Sequence, residues 1–285
     1  MNEPREVGAR PAVPIERSAF EPIDYTAIYW LAGTGFLVNT RGKILLIDPV
    51  LMTKVEDESV SEFGTKLKVR YPLVPASIPR LDAVLYTHRD VDHMGPMTAV
   101  TLAGLKPTFV GTLASFERLV RLGVAHELIA ACREGDPFVV AGIEVEVTPA
   151  DHPWQLQDPP RGGKPFRRED CCGFILNTLD GRLFFPGDTR LMEEHLRIRN
   201  IQLLALDVSI CDYHLRHKSA ALLANTLSEA LLIPMHWGTY DAPDKPAHLG
   251  DPADLFRYVN DAGRRTRTLA PGECVRLREG REITG

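Results

Sequence analysis

The sequence predicts an α/β fold of four layers, αββα, in which two stacked sheets form a central sandwich with helices outside. Three features point there. Short apolar runs of strand type arrive in two groups, each followed by helical segments. The first hundred residues hold several such runs and few crossover helices, which ranks an ordinary doubly wound sheet second. The chain of 285 residues, 44% hydrophobic and 25% charged, can bury one large core, so one domain over residues 26–285, preceded by an arm at 1–25, is expected.

The arm carries Pro4, Pro11, Pro14 and Pro22 among charges and lacks periodicity, as expected for a segment lying over the domain or frayed at its end. Strands follow at 27–31, 36–38 and 44–47, the last two joined by a turn at 39–42 and the third ending at Asp48-Pro49. Residues 52–79 are polar and contain Pro72, Pro75 and Pro79, which reads as a long irregular insertion or flap before a strand at 83–87. A helix is expected at 113–122, with strands at 138–140 and 143–147; in the latter Ile143, Val145 and Val147 alternate with Glu144 and Glu146. A second irregular segment, 153–170, precedes strands at 173–177 and 183–185. Then come a strand at 203–206, a helix at 219–230, a strand at 231–234, a helix at 252–261 and a closing strand near Val275.

Composition excludes several classes. With 33 Lys plus Arg against 38 Asp plus Glu, the net charge is -5, so there is no polycationic footprint for nucleic acid or anionic lipid. Five cysteines, at 132, 171, 172, 211 and 274, lack paired C-x-x-C spacing and read as free thiols. No basic start precedes an apolar run and no segment approaches a spanning length, so a cytoplasmic protein without a membrane span is expected.

The chemistry concentrates in Thr87-His88-Arg89-Asp90-Val91-Asp92-His93-Met94-Gly95, directly after an apolar strand. Imidazoles and carboxylates ligate Zn²⁺, Mn²⁺ and Fe²⁺, and a loop leaving a strand end can turn successive side chains toward one point. His152, Asp188 and His236 occur singly, each at the end of an expected strand, where loops from different strands converge.

With these residues in place the chain resembles the metallo-β-lactamase-fold hydrolases, whose signature is H-x-H-x-D-H after a strand, then a lone His, a lone Asp and a lone His. His88, Asp92 and His93 match the first motif, His152 the next His, Asp188 the bridging Asp and His236 the last ligand; Asp48 matches an Asp that ends an early strand. Trp30-Leu-Ala-Gly, Leu46-Ile-Asp-Pro49, Phe185-Pro-Gly-Asp-Thr189 and Pro234-Met-His-Trp-Gly-Thr239 resemble the branch containing ascorbate-6-phosphate lactonase and N-acyl phosphatidylethanolamine phospholipase D. The resemblance spans about residues 26 to 280 and implies two divalent metal ions, Zn, Mn or Fe. His88, Asp90, His152 and Asp188 would hold one; Asp92, His93, Asp188 and His236 would hold the other. Asp92 would double as partner of the attacking water, and hydrolysis would proceed by metal-bound hydroxide. Asp90 stands where the second His is usual, which hardens the first position toward Mn²⁺ or Fe²⁺.

His217 falls where this branch places a substrate-side His, and a solvent-facing role at a helix start is equally compatible with its sequence context. His126, His195 and His248 lack motif context and read as surface residues. Cys171 and Cys172 read as buried apolar positions outside the site. Gly33-Thr-Gly35 is followed by a strand where a dinucleotide fingerprint requires a helix. Arg161, Lys164, Arg167 and Arg168 form a basic cluster that is either a solvated loop or a clamp, chiefly through Arg167 and Arg168, for an anionic substrate. The leading expectation is a dinuclear hydrolase of a small anionic phosphodiester, lactone or related ester. A diiron redox protein and a non-catalytic metal-binding scaffold are the alternatives, and a homo-oligomer is compatible with each.

Overall fold

Both faces of the early strands are apolar because both are covered. In a computed structural model, which describes residues 7–153 and 167–284, the chain forms β1 (Thr26–Trp30), β2 (Phe36–Thr40), β3 (Lys43–Ile47), β4 (Thr53–Lys54), β5 (Asp57–Ser61), β6 (Lys66–Leu67), β7 (Ala83–Tyr86), α1 (Pro96–Ala103), β8 (Thr108–Gly111), α2 (Leu113–Arg121) and β9 (Ile129–Ala131). There follow β10 (Phe138–Val140), β11 (Ile143–Pro149), β12 (Cys172–Thr178), β13 (Gly181–Phe185), β14 (Leu203–Asp207), α3 (Arg216–Thr226), β15 (Leu231–Met235), β16 (Tyr240–Asp241), α4 (Pro252–Phe256), α5 (Ala262–Arg265), β17 (Cys274–Arg278) and β18 (Arg281–Glu282).

One sheet runs β18-β17-β1-β2-β3-β7-β8-β9 and the other β10-β11-β12-β13-β14-β15. Because side chains alternate along a strand, Trp30, Phe36, Val38, Leu45, Ile47 and Leu85 point between the sheets and pack with Val145, Val147, Phe174, Leu176 and Phe185. Their neighbours Leu37, Ile44, Leu46, Val84 and Tyr86 point outward onto Leu102 of α1 and Leu119 of α2. On the far side α3 lays Ala220, Ala221, Leu223 and Ala224 against the second sheet. The layers are therefore α, β, β and α, as the periodicity predicts.

Three local expectations are corrected. Residues 52–79 are irregular only in their second part: over 53–67, β4, β5 and β6 join β16 in a small sheet, with Tyr240 opposite Leu67 and Asp241 opposite Lys66. These strands are short and polar, so apolar alternation could not reveal them. The helix expected at 219–230 starts at Arg216 and stops at Thr226, where the buried Arg265 guanidinium takes up the carbonyls of Ala224, Leu227 and Ala230. The helix expected at 252–261 ends at Phe256. Residues 7–25 lie along the domain through Ala9 N–H to Gly238 O, Val13 N–H to Pro271 O and Ile15 N–H to Pro72 O. No helix among the described residues is long and apolar enough to cross a membrane.

Candidate metal centre

Strands β13, β14 and β15 are parallel, and β11 runs the same way because it and β13 are both antiparallel to β12. Their carboxyl ends therefore open on one edge, delivering His152 after β11, Asp188 after β13, Asp207 at the end of β14 and His236 after β15. From the other sheet β7 delivers His88 and the loop that follows it. The edge is built on unusual backbone: Asp48 has φ 44° and His236 φ 64°, left-handed values that side chains other than glycine rarely adopt. Gly187, with φ 65°, sets Asp188, and a Cβ there would lie 2.7 Å from Thr87 Cβ.

The sequence-expected ligands converge on Asp188. Its Oδ2 lies 3.9 Å from His88 Nε2, 3.9 Å from His152 Nε2 and 3.1 Å from His93 Nε2. Asp90 Oδ2 lies 3.6 Å from His88 Nε2 and 3.5 Å from His152 Nε2, and Asp92 Oδ2 lies 3.3 Å from His236 Nε2. Donors about 2.0–2.2 Å from one ion stand roughly 3 to 4 Å from each other, so these separations fit divalent cations. His88 Nε2 and Asp188 Oδ1 are buried with no hydrogen-bond partner among the described residues, as atoms awaiting a cation would be.

For His93, His152 and His88 the opposite ring nitrogen is engaged, which fixes the donor edge. Asp48 accepts from Thr87 N–H at 2.7 Å and Thr87 Oγ1 at 2.6 Å, and stands 2.8 Å from His93 Nδ1. His152 Nδ1 is 3.0 Å from Tyr213 O, and His88 Nδ1 is 3.1 Å from Thr87 Oγ1. Burial opposes charge throughout, yet hydrogen bonding to His152 and His88 holds Asp90 well below the usual carboxylate range, and His93, His214 and His236 do the same for Asp188. Against the same burial, Asp188 and its neighbouring carboxylates push His236 up to about 9. Burial and His93 lower His88.

Sequence reasoning missed four further groups here. His214 points Nε2 to within 3.7 Å of Asp188 Oδ2, with Nδ1 2.7 Å from Asp207 Oδ2. His248, expected at the surface, is 8% exposed and places Nε2 3.9 Å from Asp92 Oδ2. Burial and neighbouring His236 bring it down to about 4. Lys245 lines the cavity of about 320 Å³ over the cluster, beside Asp90, Asp92, Tyr213 and His214. Asp207 could have been suspected from its place at a strand end; His214, His248 and Lys245 belong to loops whose paths carry no local signal.

Other expected residues lie elsewhere. His217 lines a separate cavity with Arg216, Lys218 and Tyr258. Arg167 pairs with Asp170, and Arg168 with Glu134 and Glu194; among the described residues the cation lining the cavity over the cluster is Lys245. Arg161 and Lys164 fall outside the described residues. His195 is fully buried rather than at the surface, its Nε2 2.9 Å from Pro149 O, whereas His126 is exposed. All five cysteines are free.

The profile of the beta-lactamase superfamily domain matches residues 44–237, which include every sequence-expected ligand. A UPF0173 metal-dependent hydrolase of Nitratidesulfovibrio vulgaris is 30% identical over 271 residues, covering 90% of this chain and 98% of the relative. One of Herpetosiphon aurantiacus is 28% identical over 260 residues, covering 87% and 97%. Among solved structures, a metallo hydrolase of the archaeon Ignicoccus hospitalis superposes with a TM-score of 0.64 at 20% identity, covering 88% of this chain and 98% of that one; it shares the fold. Fold, ligand geometry and relatives agree: this chain belongs to the UPF0173 metal-dependent hydrolases of the beta-lactamase superfamily.

Proposed function

We propose that the protein is a dinuclear hydrolase of a small anionic phosphodiester, lactone or related ester, in keeping with the branch its motifs resemble. The observation that carries this reading is the Asp188 carboxylate, whose Oδ2 lies within 3.9 Å of Nε2 of His88, His152 and His93. His88, Asp90, His152 and Asp188 would hold one ion, and Asp92, His93, Asp188 and His236 the other. Two cations bound there would activate water and polarise the scissile carbonyl or phosphoryl group, so no protein nucleophile is needed.

The remaining residues then take definite parts. Asp92 would accept a proton from the attacking water. Asp207 orients His214 so that Nε2 faces the cavity, in position to exchange a proton with the leaving oxygen; His214 thereby takes the substrate-side part that the sequence suggested for His217. Lys245, whose Nζ also reaches Thr65 Oγ1 at 3.3 Å, supplies the positive charge an anionic substrate needs in a net-acidic protein. A cavity of about 320 Å³ suits a small molecule rather than a polymer. We place the protein in the cytoplasm on its free thiols and their spacing.

Elemental analysis of protein purified without added metal, followed by a phosphodiester and lactone panel, tests the reading. Two ions per chain with turnover, and Asp188→Asn losing at least one ion and orders of magnitude in rate, are expected. Lys245→Ala should raise KM for anionic substrates about tenfold and spare a neutral ester. Two ions without turnover on any ester would favour the metal-binding scaffold, and Asp188→Asn with two ions and normal rate would refute the bridge.

A further inference from the structure

The two halves of the centre differ in their donors. Around Asp90 stand two imidazoles, His88 and His152, and two carboxylates, Asp90 and Asp188. On the Asp92 side stand His93 and His236 with Asp92 and Asp188, and the fold adds one more imidazole. His248 ends the turn Pro246–His248 that walls the cavity, in a part of the chain outside the signature motifs. Its ring centroid is 5.1 Å from that of His236, and one donor atom each from Asp92, His236 and His248 lie within 4.8 Å of one another. The Tyr240 ring packs edge-on against it at 4.9 Å. His248 Nδ1 is buried without a hydrogen-bond partner among the described residues, so the contact that this imidazole makes toward polar groups is at Nε2, on the Asp92 side.

Packing does not account for an imidazole held in this way. A buried polar ring ordinarily satisfies both nitrogens or is replaced by an apolar side chain of the same shape. Here the side chain is aimed at a carboxylate that already faces another imidazole. We propose that His248 is a ligand of the second metal position together with Asp92 and His236. That position then has three imidazoles, His93, His236 and His248, against two at the first. Nitrogen-rich sets favour Zn²⁺, and carboxylate-rich sets favour harder ions such as Mn²⁺. The centre therefore sorts two different ions, Zn²⁺ beside Asp92 and Mn²⁺ or Fe²⁺ beside Asp90. This inference rests on the dinuclear reading above.

The test strips the full chain with a chelator and titrates it with Zn²⁺ and Mn²⁺, following stoichiometry by elemental analysis and Mn²⁺ by electron paramagnetic resonance. Wild-type protein offered both ions should take one of each and show an isolated Mn²⁺ signal. His248→Gln should weaken the tighter Zn²⁺ step by more than about 100-fold, beyond the loss an outer-shell partner causes, and admit Mn²⁺ to both positions as a spin-coupled pair. His248→Glu, which has similar reach and a true ligand oxygen, should again bind two ions firmly but with the second position turned toward Mn²⁺. A structural role would predict no such recovery. Wild-type protein that binds one ion in all overturns the dinuclear reading and this inference with it. Two ions whose Zn²⁺ affinities stay within about threefold of wild type in both variants overturn this inference alone.

Discussion

Asp48 touches none of the atoms grouped around Asp188, yet its replacement by Asn should loosen one half of the centre. The residue is 2% exposed, and its two oxygens serve Thr87 N–H, Thr87 Oγ1 and His93 Nδ1 at 2.6 to 2.8 Å. Asn tolerates the φ of 44° found there, so the substitution changes the side chain and leaves the backbone alone. An amide can keep one acceptor toward Thr87 N–H, but its NH₂ then meets the Thr87 hydroxyl and His93 Nδ1, which both sought an acceptor. His93 loses the partner that fixes its tautomer and enriches its Nε2 lone pair. Loss of such a partner weakens metal binding about 10–100-fold, or ~1.4–2.7 kcal/mol. The larger loss should fall on the ion held with Asp92 and His236, because the ion held by His88 and His152 feels the change only indirectly, through the Thr87 hydroxyl 3.1 Å from His88 Nδ1. Competition titration of metal-free protein with a chromophoric chelator resolves the two steps. Two steps both within about threefold of wild type would refute the view that Asp48 tunes the centre through His93.

Asp90→His should move the first position toward Zn²⁺, because it adds an imidazole 3.6 Å from His88 and 3.5 Å from His152 where a carboxylate stood; an unchanged Mn²⁺/Zn²⁺ competition ratio would sink that assignment. Metal uptake should release protons, since metal-free His236 is held up to about 9 and must lose its proton to bind. Below that value affinity should climb about tenfold per pH unit for each proton released, and a flat profile between pH 6 and 8 would contradict it. Arg265→Met should cost about 3–5 kcal/mol in chemical denaturation, because the side chain is 1% exposed and its guanidinium serves the carbonyls of Ala224, Leu227, Ala230 and Asn260. A loss below about 1 kcal/mol would mean water replaces it freely.

Much of the fold and the ligand set could be read from the chain because their causes are local. Near-continuous apolar runs in β1, β2, β3 and β7 specify strands covered on both faces, and His88, Asp90, Asp92 and His93 sit close together after one of them. His152, Asp188 and His236 could be added because strand ends gather at an edge. Where sequence neighbours do not decide contacts, reading the chain fell short. The polar strands β4 to β6 exist because β16, far along the chain, offers them an edge to pair with. Arg167 and Arg168 meet Asp170, Glu134 and Glu194 rather than the cavity, since a long side chain goes to whichever carboxylate the fold sets beside it. His214 lies in the turn before α3 and His217 in the helix itself, and the left-handed Arg216 between them, φ 56°, lets one ring face Asp188 while the other lines a separate cavity. His248 and Lys245 reach the centre only because the loop after β16 folds back over it. Local patterns determine which segments become strands and which ends carry ligands; the path of each loop, set by packing between residues distant in sequence, decides which side chains surround the metals.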